Sequence, residues 1–314
     1  MSNITTIESI DPNITGFLHR NFLERATYNL VHDKFGMPAM LPMHEGTKVT
    51  MRRIEKFAKS TTPLTEGITP DGKLATYTDV TAQIRQYGDY VTLTDLFKKT
   101  SPKRTVMEIS DALGDQAGET IDTVERDELM SGTNVRYASG VAARANVAAG
   151  ISDADCQTIR KTLLSNSARR IREQINAGVK ISTSPTPESF IAIGHTDLLT
   201  SLESLTGWTP KEEYGSQQET LPDEYGYAHG IRFILTPNGK IWSGAGDSSA
   251  DVYGIVVLGR SAYANIKMEK RSTQIFVKNP VDPLDQRYTI GWKTEHASKI
   301  TNDDFMYRLE VQEA

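Results

Sequence analysis

Residues 105–131, TVMEISDALGDQAGETIDTVERDELMS, place an apolar side chain at every third or fourth position: Val106, Ile109, Leu113, Ala117, Ile121 and Val124. That period is one face of an α-helix. At 1.5 Å per residue the helix spans about 40 Å, longer than an average globular helix. Its polar side is acidic, with Glu108, Asp111, Asp115, Glu119, Asp122, Glu125, Asp127 and Glu128 set against Arg126. Asp111, Asp115, Glu119 and Asp122 recur on one side, which leaves three readings: metal ligands, a solvated face, or a surface for basic residues of another subunit. No Glu-x-x-His pair accompanies them, and Gly114 and Gly118 loosen the same turns, so no metal site is expected.

Upstream of this helix the pattern changes to β. Thr47–Lys59 and Leu74–Leu93 alternate apolar and polar residues around Thr69-Pro70-Asp71-Gly72, where Pro fixes φ and Gly accepts a positive φ. A long hairpin is expected, and a hairpin of that length needs a surface to lie on, in its own subunit or another. Its first strand is basic, with Lys48, Arg52, Arg53, Lys56 and Lys59 against Glu55. Before it, Met1–Pro12 is a polar arm and 13–35 a short amphipathic helix stopped by Gly36 and Pro38. His19 and His32 read as surface or interface residues, and everything before about Pro42 is expected to find its partners on other subunits.

Downstream, Gly132–Gly150 reads as a loop or small hairpin, and Ser152 caps a helix expected to run to Ile175. Cys156 falls on its apolar side, a core position without a recognisable catalytic His. Arg160, Lys161, Arg169, Arg170 and Arg172 form its polar face and read as solvated or interfacial charge. Residues 190–194, 230–236 and 253–258 are apolar without alternation, the mark of strands covered on both faces. Thr196 and Asp197 open a helix carrying Leu198, Leu199, Leu202 and Leu205. The Gly-rich run Ser243–Ser249 lacks a following Gly-Lys-Ser or Gly-Lys-Thr and reads as a surface loop. The chain closes with alternating stretches around Tyr288, Ile290 and Trp292 and around Phe305, Tyr307, Leu309 and Val311. They are expected to form an antiparallel β segment turning at Asn302-Asp303.

The 314 residues suffice for two domains or one large one, and the class expected is α+β. A net charge of −5 with interspersed signs gives no footprint for direct duplex binding, and no run of Lys or Arg suggests a membrane surface. A single cysteine rules out an intramolecular disulfide and suits a reducing compartment. No signal peptide or membrane span is expected from the polar start and the short apolar runs. Hydrolase, zinc-protease, Cys-x-x-Cys and Walker patterns are all missing, so no catalytic, cofactor-binding or metal-ligating residue is expected.

Six ordered blocks carry a family resemblance: FLERATYNLVHDKFG at 22–36, TTPLTEGITPDG at 61–72, QYGDYVTLTDL at 86–96, LGDQAGETIDTVERDELMSGTN at 113–134, HGIRFILTPNG at 229–239 and DPLDQRYTIGWKTEHASKITNDDFMYRLEV at 282–311. Together they resemble the major capsid proteins of tailed double-stranded DNA bacteriophages, in the podovirus-like branch of the Hong Kong-type capsid fold. The resemblance implies an N-terminal arm (1–43), an extended β-hairpin loop (44–95), and a peripheral domain with a long spine helix (96–151). It also implies an axial domain (152–265) and a return to the peripheral domain (266–314).

On that footing the protein is structural, with no enzymatic activity. It is expected to assemble in the host cytoplasm, as hexamers and pentamers of itself, into the icosahedral shell of the virion. Scaffolding, portal and decoration proteins are implied partners. Packaged DNA is enclosed without sequence-specific binding, and no membrane is involved. The charge patterns suggest an intersubunit contact in which Lys48, Arg52 and Lys56 face Asp111, Asp115, Glu119 or Asp122 of a neighbour. The alternatives are an encapsulin-like cellular shell of the same fold and, from a different class, a soluble α/β enzyme.

Overall fold

The structure is a computed structural model and describes residues 20, 22–27, 30–100, 105–172, 187–214, 221, 223–268, 273–278 and 286–313. In chain order the strands are β1 (Met37–Leu41), β2 (Lys48–Ile54), β3 (Tyr77–Gln83), β4 (Arg85–Thr94), β5 (Val135–Tyr137), β6 (Phe190–His195), β7 (Thr209–Pro210), β8 (Glu224–Ala228), β9 (Ile231–Thr236), β10 (Lys240–Trp242), β11 (Val252–Leu258), β12 (Tyr263–Met268), β13 (Thr273–Lys278), β14 (Arg287–Ile300) and β15 (Met306–Gln312). The helices are α1 (22–27), α2 (Asp95–Thr100), α3 (Thr105–Leu129), α4 (Asp153–Ser165) and α5 (Leu199–Glu203).

The long helix forms as its period requires. α3 runs for 25 residues and buries Leu113, Ala117, Ile121, Glu125 and Leu129, about one side chain per turn. Its first half lies on a five-stranded sheet ordered β1-β12-β14-β13, with β4 on the other side of β14. There Leu113 and Ala117 pack with Ile290, Trp292, Tyr288 and Ile275, and the Trp292 indole donates to Gln116 Oε1 at 3.0 Å. Gly114 is part of this packing. A Cβ there would stand 2.9 Å from the Phe22 carbonyl oxygen and 3.0 Å from Arg25 Cβ, so its absence is what lets α1 lie across α3 and bury Phe22. Gly114→Val should overpack this crossing by about 1–3 kcal/mol. Limited trypsin digestion is expected to cut first beside Arg25 in that variant and more slowly there in the parent.

The second half of α3 reaches an eight-stranded sheet ordered β5-β15-β11-β6-β9-β8-β7, with β10 also on β11. Its central strands are covered on both faces, as their unbroken apolar runs predict. Phe190, Ala192, Ile255 and Val257 face α4, through Cys156 and Ile159, and the 3-10 turn Thr196–Leu198 with α5, through Leu198 and Leu202. Ile191, Ile193, Val256 and Leu258 face the other way, onto Leu129, Met130, Tyr263 and Val31. Cys156 is buried, and burial pushes its thiol up to about 12, in keeping with a core position.

Four expectations are corrected by the architecture. The helix from Ser152 is capped as expected, with Asp155 N donating to Ser152 Oγ, but it stops at Ser165 and not at Ile175; Ser167 then takes a positive φ of 61°. Arg169, Arg170 and Arg172 therefore lie beyond the helix, on the strand-like return toward Ser189, while Ile175 lies outside the described residues. β14 and β15 do not pair with each other: β14 joins the five-stranded sheet and β15 the eight-stranded one, because the short 3-10 turn Asp303–Phe305 carries the chain between the two layers.

The hairpin is also shorter than its alternation suggested. β2 pairs antiparallel with β3, but β4 leaves to pair with β14 over ten residues. Residues 55–76 are a long loop whose hydrogen-bonded turn is Thr65–Ile68, with Gly67 at φ +77°, and not Thr69–Gly72. Finally, the segment before Pro42 is not partnerless within the subunit: β1 pairs in parallel with β12, and Phe22, Ala26, Val31 and His32 are buried. Residues 1–19 lie outside the described residues.

Candidate functional site

The features with something to offer a partner are surfaces. β2 turns Lys48, Thr50, Arg52 and Ile54 outward and Val49, Met51 and Arg53 toward the body. The inward face anchors the hairpin at its root: Val49 and Met51 pack on Leu41, Ala82 and Ile266, and Arg53 reaches Asn302. Of the three basic candidates, Lys48 is exposed, Lys56 approaches Ser167 Oγ at 3.4 Å, and Arg52 is forked onto Asp79 of β3 at 2.8 and 2.9 Å. The Arg52 charge is thus largely answered inside its own hairpin.

Beyond Ile54 the loop 55–76 is exposed except at the half-buried Ala75, with Phe57 at 52%, Leu64 at 77%, Ile68 at 66% and Leu74 at 90%. Single exposed apolar residues are ordinary, but four large ones on one projecting loop mark a contact surface.

The acidic face of α3 divides in two. Asp111 and Asp115 are half-buried and Glu119 is exposed, all in the half that lies on the five-stranded sheet. In the other half the acids turn into the subunit. Asp127 is 3.0 Å from Lys240 Nζ and Glu128 is 2.7 Å from Lys299 Nζ. Asp122 is fully buried and is corrected as an intersubunit residue: the turn after β9 and the segment 31–35 both cover it. Val31 N and His32 N donate to its Oδ1 at 2.8 and 2.7 Å, and Asn238 Nδ2 donates to Oδ2 at 2.9 Å, beside His32 Nδ1 at 2.9 Å. Burial raises the Asp122 carboxyl, but the His32 ring and the two backbone N–H groups outweigh it and leave the group below its ordinary range.

One turn on, Glu125 is buried 2.8 Å from His296 Nε2. Burial, then the nearby Asp33 and Asp122 charges, hold Glu125 well above its usual value, and burial lowers His296 to about 4. The raised carboxyl therefore lies beside an imidazole that is neutral at neutral pH. Asp33 completes the group, 2.7 Å from Lys267 Nζ and 2.8 Å from Asn265 Nδ2, while Tyr263 donates its hydroxyl to the His32 carbonyl. These residues fasten the segment 31–35 to α3, β12 and β14. His32, expected at the surface or an interface, is instead buried, and its partner stands 90 residues away, beyond any local signal. Among the described residues no cluster of three or more His, Cys, Asp or Glu has the arrangement of a metal site, and no helix is long and apolar enough to cross a membrane.

A family model described as phage capsid protein matches residues 77–309. Among solved structures the chain is similar to the capsid of Ralstonia phage GP4, with a TM-score of 0.63, 13% identity and coverage of 88% of this chain and 87% of that one. It is similar to the capsid asymmetric unit of cyanophage Pam1, with a TM-score of 0.61, 13% identity and coverage of 100% and 96%. It is likewise similar to the capsid of cyanophage P-SCSP1u, with a TM-score of 0.60, 10% identity and coverage of 91% and 89%. At such identities the likeness is one of fold. No curated protein sequence matches the chain.

Proposed function

The chain belongs to the phage capsid protein family, and from that premise we propose that its copies assemble in the host cytoplasm as hexamers and pentamers, closing an icosahedral shell around the phage double-stranded DNA. It is a structural protein of the virion capsid, with the Hong Kong-type α+β fold. The observation that carries the proposed assembly is the loop 55–76: it projects exposed apolar side chains from an anchored two-stranded root, and a neighbouring copy is the surface that would cover them. Such a contact is heterologous, so it closes into rings and then a shell when the geometry permits. The five-stranded sheet with α3 serves as the peripheral unit and the eight-stranded sheet as the axial one. Scaffolding, portal and decoration proteins are the partners this reading adds. Family membership favours the phage shell over a cellular compartment and over an enzyme.

The charge contact belongs to the same proposal, without Asp122. Lys48 and Lys56, with Arg52 held by Asp79, face Asp111, Asp115 and Glu119 of an adjacent copy. Each exposed pair contributes only about 0–1 kcal/mol, but the contact recurs at every subunit and is screened by salt. Negative-stain microscopy of the purified protein tests the shell itself: closed particles are expected, and a monodisperse small oligomer under all assembly conditions would defeat it. For the charge contact, Lys48→Glu with Lys56→Glu should slow assembly several-fold at low salt and leave thermal unfolding of the subunit nearly unchanged. Restoration by Asp115→Lys with Glu119→Lys would support direct contact; an unaltered assembly rate in the charge-reversed protein would dismiss it.

A further inference from the structure

Beside the start of β6, three chain segments meet around a hollow of about 330 Å³ lined by Arg169, Arg170, Arg172 and Arg260, with Leu164 and Glu188 in its wall. Backbone hydrogen bonds hold the segments together. Arg260 N donates to the Arg169 carbonyl at 2.8 Å, Arg172 N to the Ser189 carbonyl at 3.2 Å, and Ser189 N to the Arg172 carbonyl at 3.1 Å. The arginines are thus brought together by the fold and not by helical spacing, since α4 has already ended at Ser165. Four arginines and one glutamate line the hollow, in a chain whose net charge is −5.

That carboxylate is already engaged, with Glu188 Oε2 2.7 Å from Arg170 Nη1. Elsewhere the arginines that enter the fold are matched to acids: Arg136 to Asp155 at 2.6 Å, and Arg144 and Arg308 to Glu310 at 2.5 and 2.9 Å. Arg169, Arg172 and Arg260 have no carboxylate of the described residues within 4.0 Å. Like charges gathered at one hollow destabilise the fold by mutual repulsion, and a bound anion reverses the sign of that interaction.

We infer that this hollow binds phosphate groups of a nucleic-acid backbone, without reading bases. Guanidinium forks fit both carboxylate and phosphate oxygens, but two forks fill one carboxylate, and three forks with no carboxylate partner among the described residues exceed what a single acidic side chain accepts. A nucleic-acid strand presents phosphates in succession, so several forks can be served at once. The identity of the polyanion as packaged DNA rests on the shell reading; the phosphate chemistry of the hollow does not.

The test uses the full chain, kept unassembled, and a fluorescent 20-base-pair duplex of arbitrary sequence read by anisotropy. With about three phosphates engaged, affinity should fall about 40-fold between 50 and 200 mM NaCl. Arg169→Gln with Arg260→Gln should weaken binding at least ten-fold at 50 mM and reduce the logarithmic salt slope by about two. Lys278→Gln with Lys293→Gln, on β13 and β14 and outside the lining of the hollow, removes the same charge and should leave binding unchanged. Arg172→Lys, which keeps the charge and loses the fork, should give an intermediate loss, and circular dichroism melts confirm that each variant is folded.

Equal binding by the Arg169/Arg260 variant and the parent would overturn the inference. So would an equal loss in the lysine control, or tighter binding to polyglutamate than to the duplex at the same salt. Microscopy separates this from the shell reading: shells built by the variant with lowered DNA affinity sustain both, whereas a parent that binds the duplex and never forms shells defeats the shell reading alone.

Discussion

Replacing residues 56–75 by Asn-Gly should abolish shell formation while leaving a subunit that is as stable as the parent or more so. The splice is geometrically natural, because Glu55 N already donates to the Thr76 carbonyl at 3.0 Å and the ladder below it pairs Ile54 with Tyr77. Asn-Gly is the two-residue connection that suits the twist of such strands. The excised residues are exposed except for the half-buried Ala75, so their loss removes little packing. Shortening a closed loop from about twenty residues to two lowers its closure entropy cost by about 2 kcal/mol in the ideal-chain estimate. Particles counted by electron microscopy, beside a thermal melt of the unassembled subunit, give the two readouts. Normal shells from the shortened protein would remove the loop from assembly, and a collapsed melt would mean that it packs on its own subunit.

The largest effect on the subunit itself is expected at Asp122. Asp122→Ala leaves two backbone N–H groups, the His32 ring and the Asn238 amide facing a void, and removing one partner of such a buried charged network costs about 3–5 kcal/mol. Denaturant titration measures it, and a loss below about 1 kcal/mol would contradict the arrangement.

The same region sets the pH dependence, and its groups act in opposite directions. His296 stays neutral in the fold down to about pH 4 but is protonated at about 6.5 in the unfolded chain. Stability therefore falls as pH falls between these values, by about 3 kcal/mol. Asp122, held below its ordinary value of 3.8, stabilises the fold above that pH and loses the contribution only below it. Glu125 is raised, so its cost grows as pH rises through its ordinary 4.5 and stops growing above the folded-state value. Glu125→Gln should accordingly melt at about the parental temperature at pH 4 and above it at pH 8. A variant less stable than the parent at pH 8 would mean that the carboxyl is ionised and needed.

The parts that sequence made legible are those set by local period. α3 begins at Thr105 as its spacing requires, and β6, β9 and β11 fall on the apolar runs at 190–194, 230–236 and 253–258. What stayed hidden depends on partners far along the chain. β4 looks like the continuation of a hairpin strand, because nothing local distinguishes pairing with β3 from pairing with β14 almost 200 residues later. Asp122 looks like its neighbours on an acidic stripe, since an amphipathic wheel shows which face turns from the sheet and not which other segments cover that face. Pro70-Asp71-Gly72 is a sound turn signal that goes unused, as a long exposed loop leaves the bend free to form at Thr65–Ile68. The arginines of the hollow are adjacent in sequence, but Arg260 joins them only through the turn after β11.

The pairing of β4 with β14 has a consequence in time. During translation, α3 and β4 emerge long before the strand that supports them both, and synthesis of the intervening stretch takes about 10–40 s at about 5–20 residues per second. β1 waits similarly for β12. Until residues near 300 are made, Leu113, Ala117 and Leu93 have no sheet to bury them, and the root of the hairpin has no completed body to brace it. A nascent or truncated chain therefore cannot display its loop in an assembly-ready pose. Contact distance along the polypeptide thus places completion of the five-stranded sheet, and with it the bracing of the hairpin root, after β14 has been made, and leaves β15 to close the other sheet last of all.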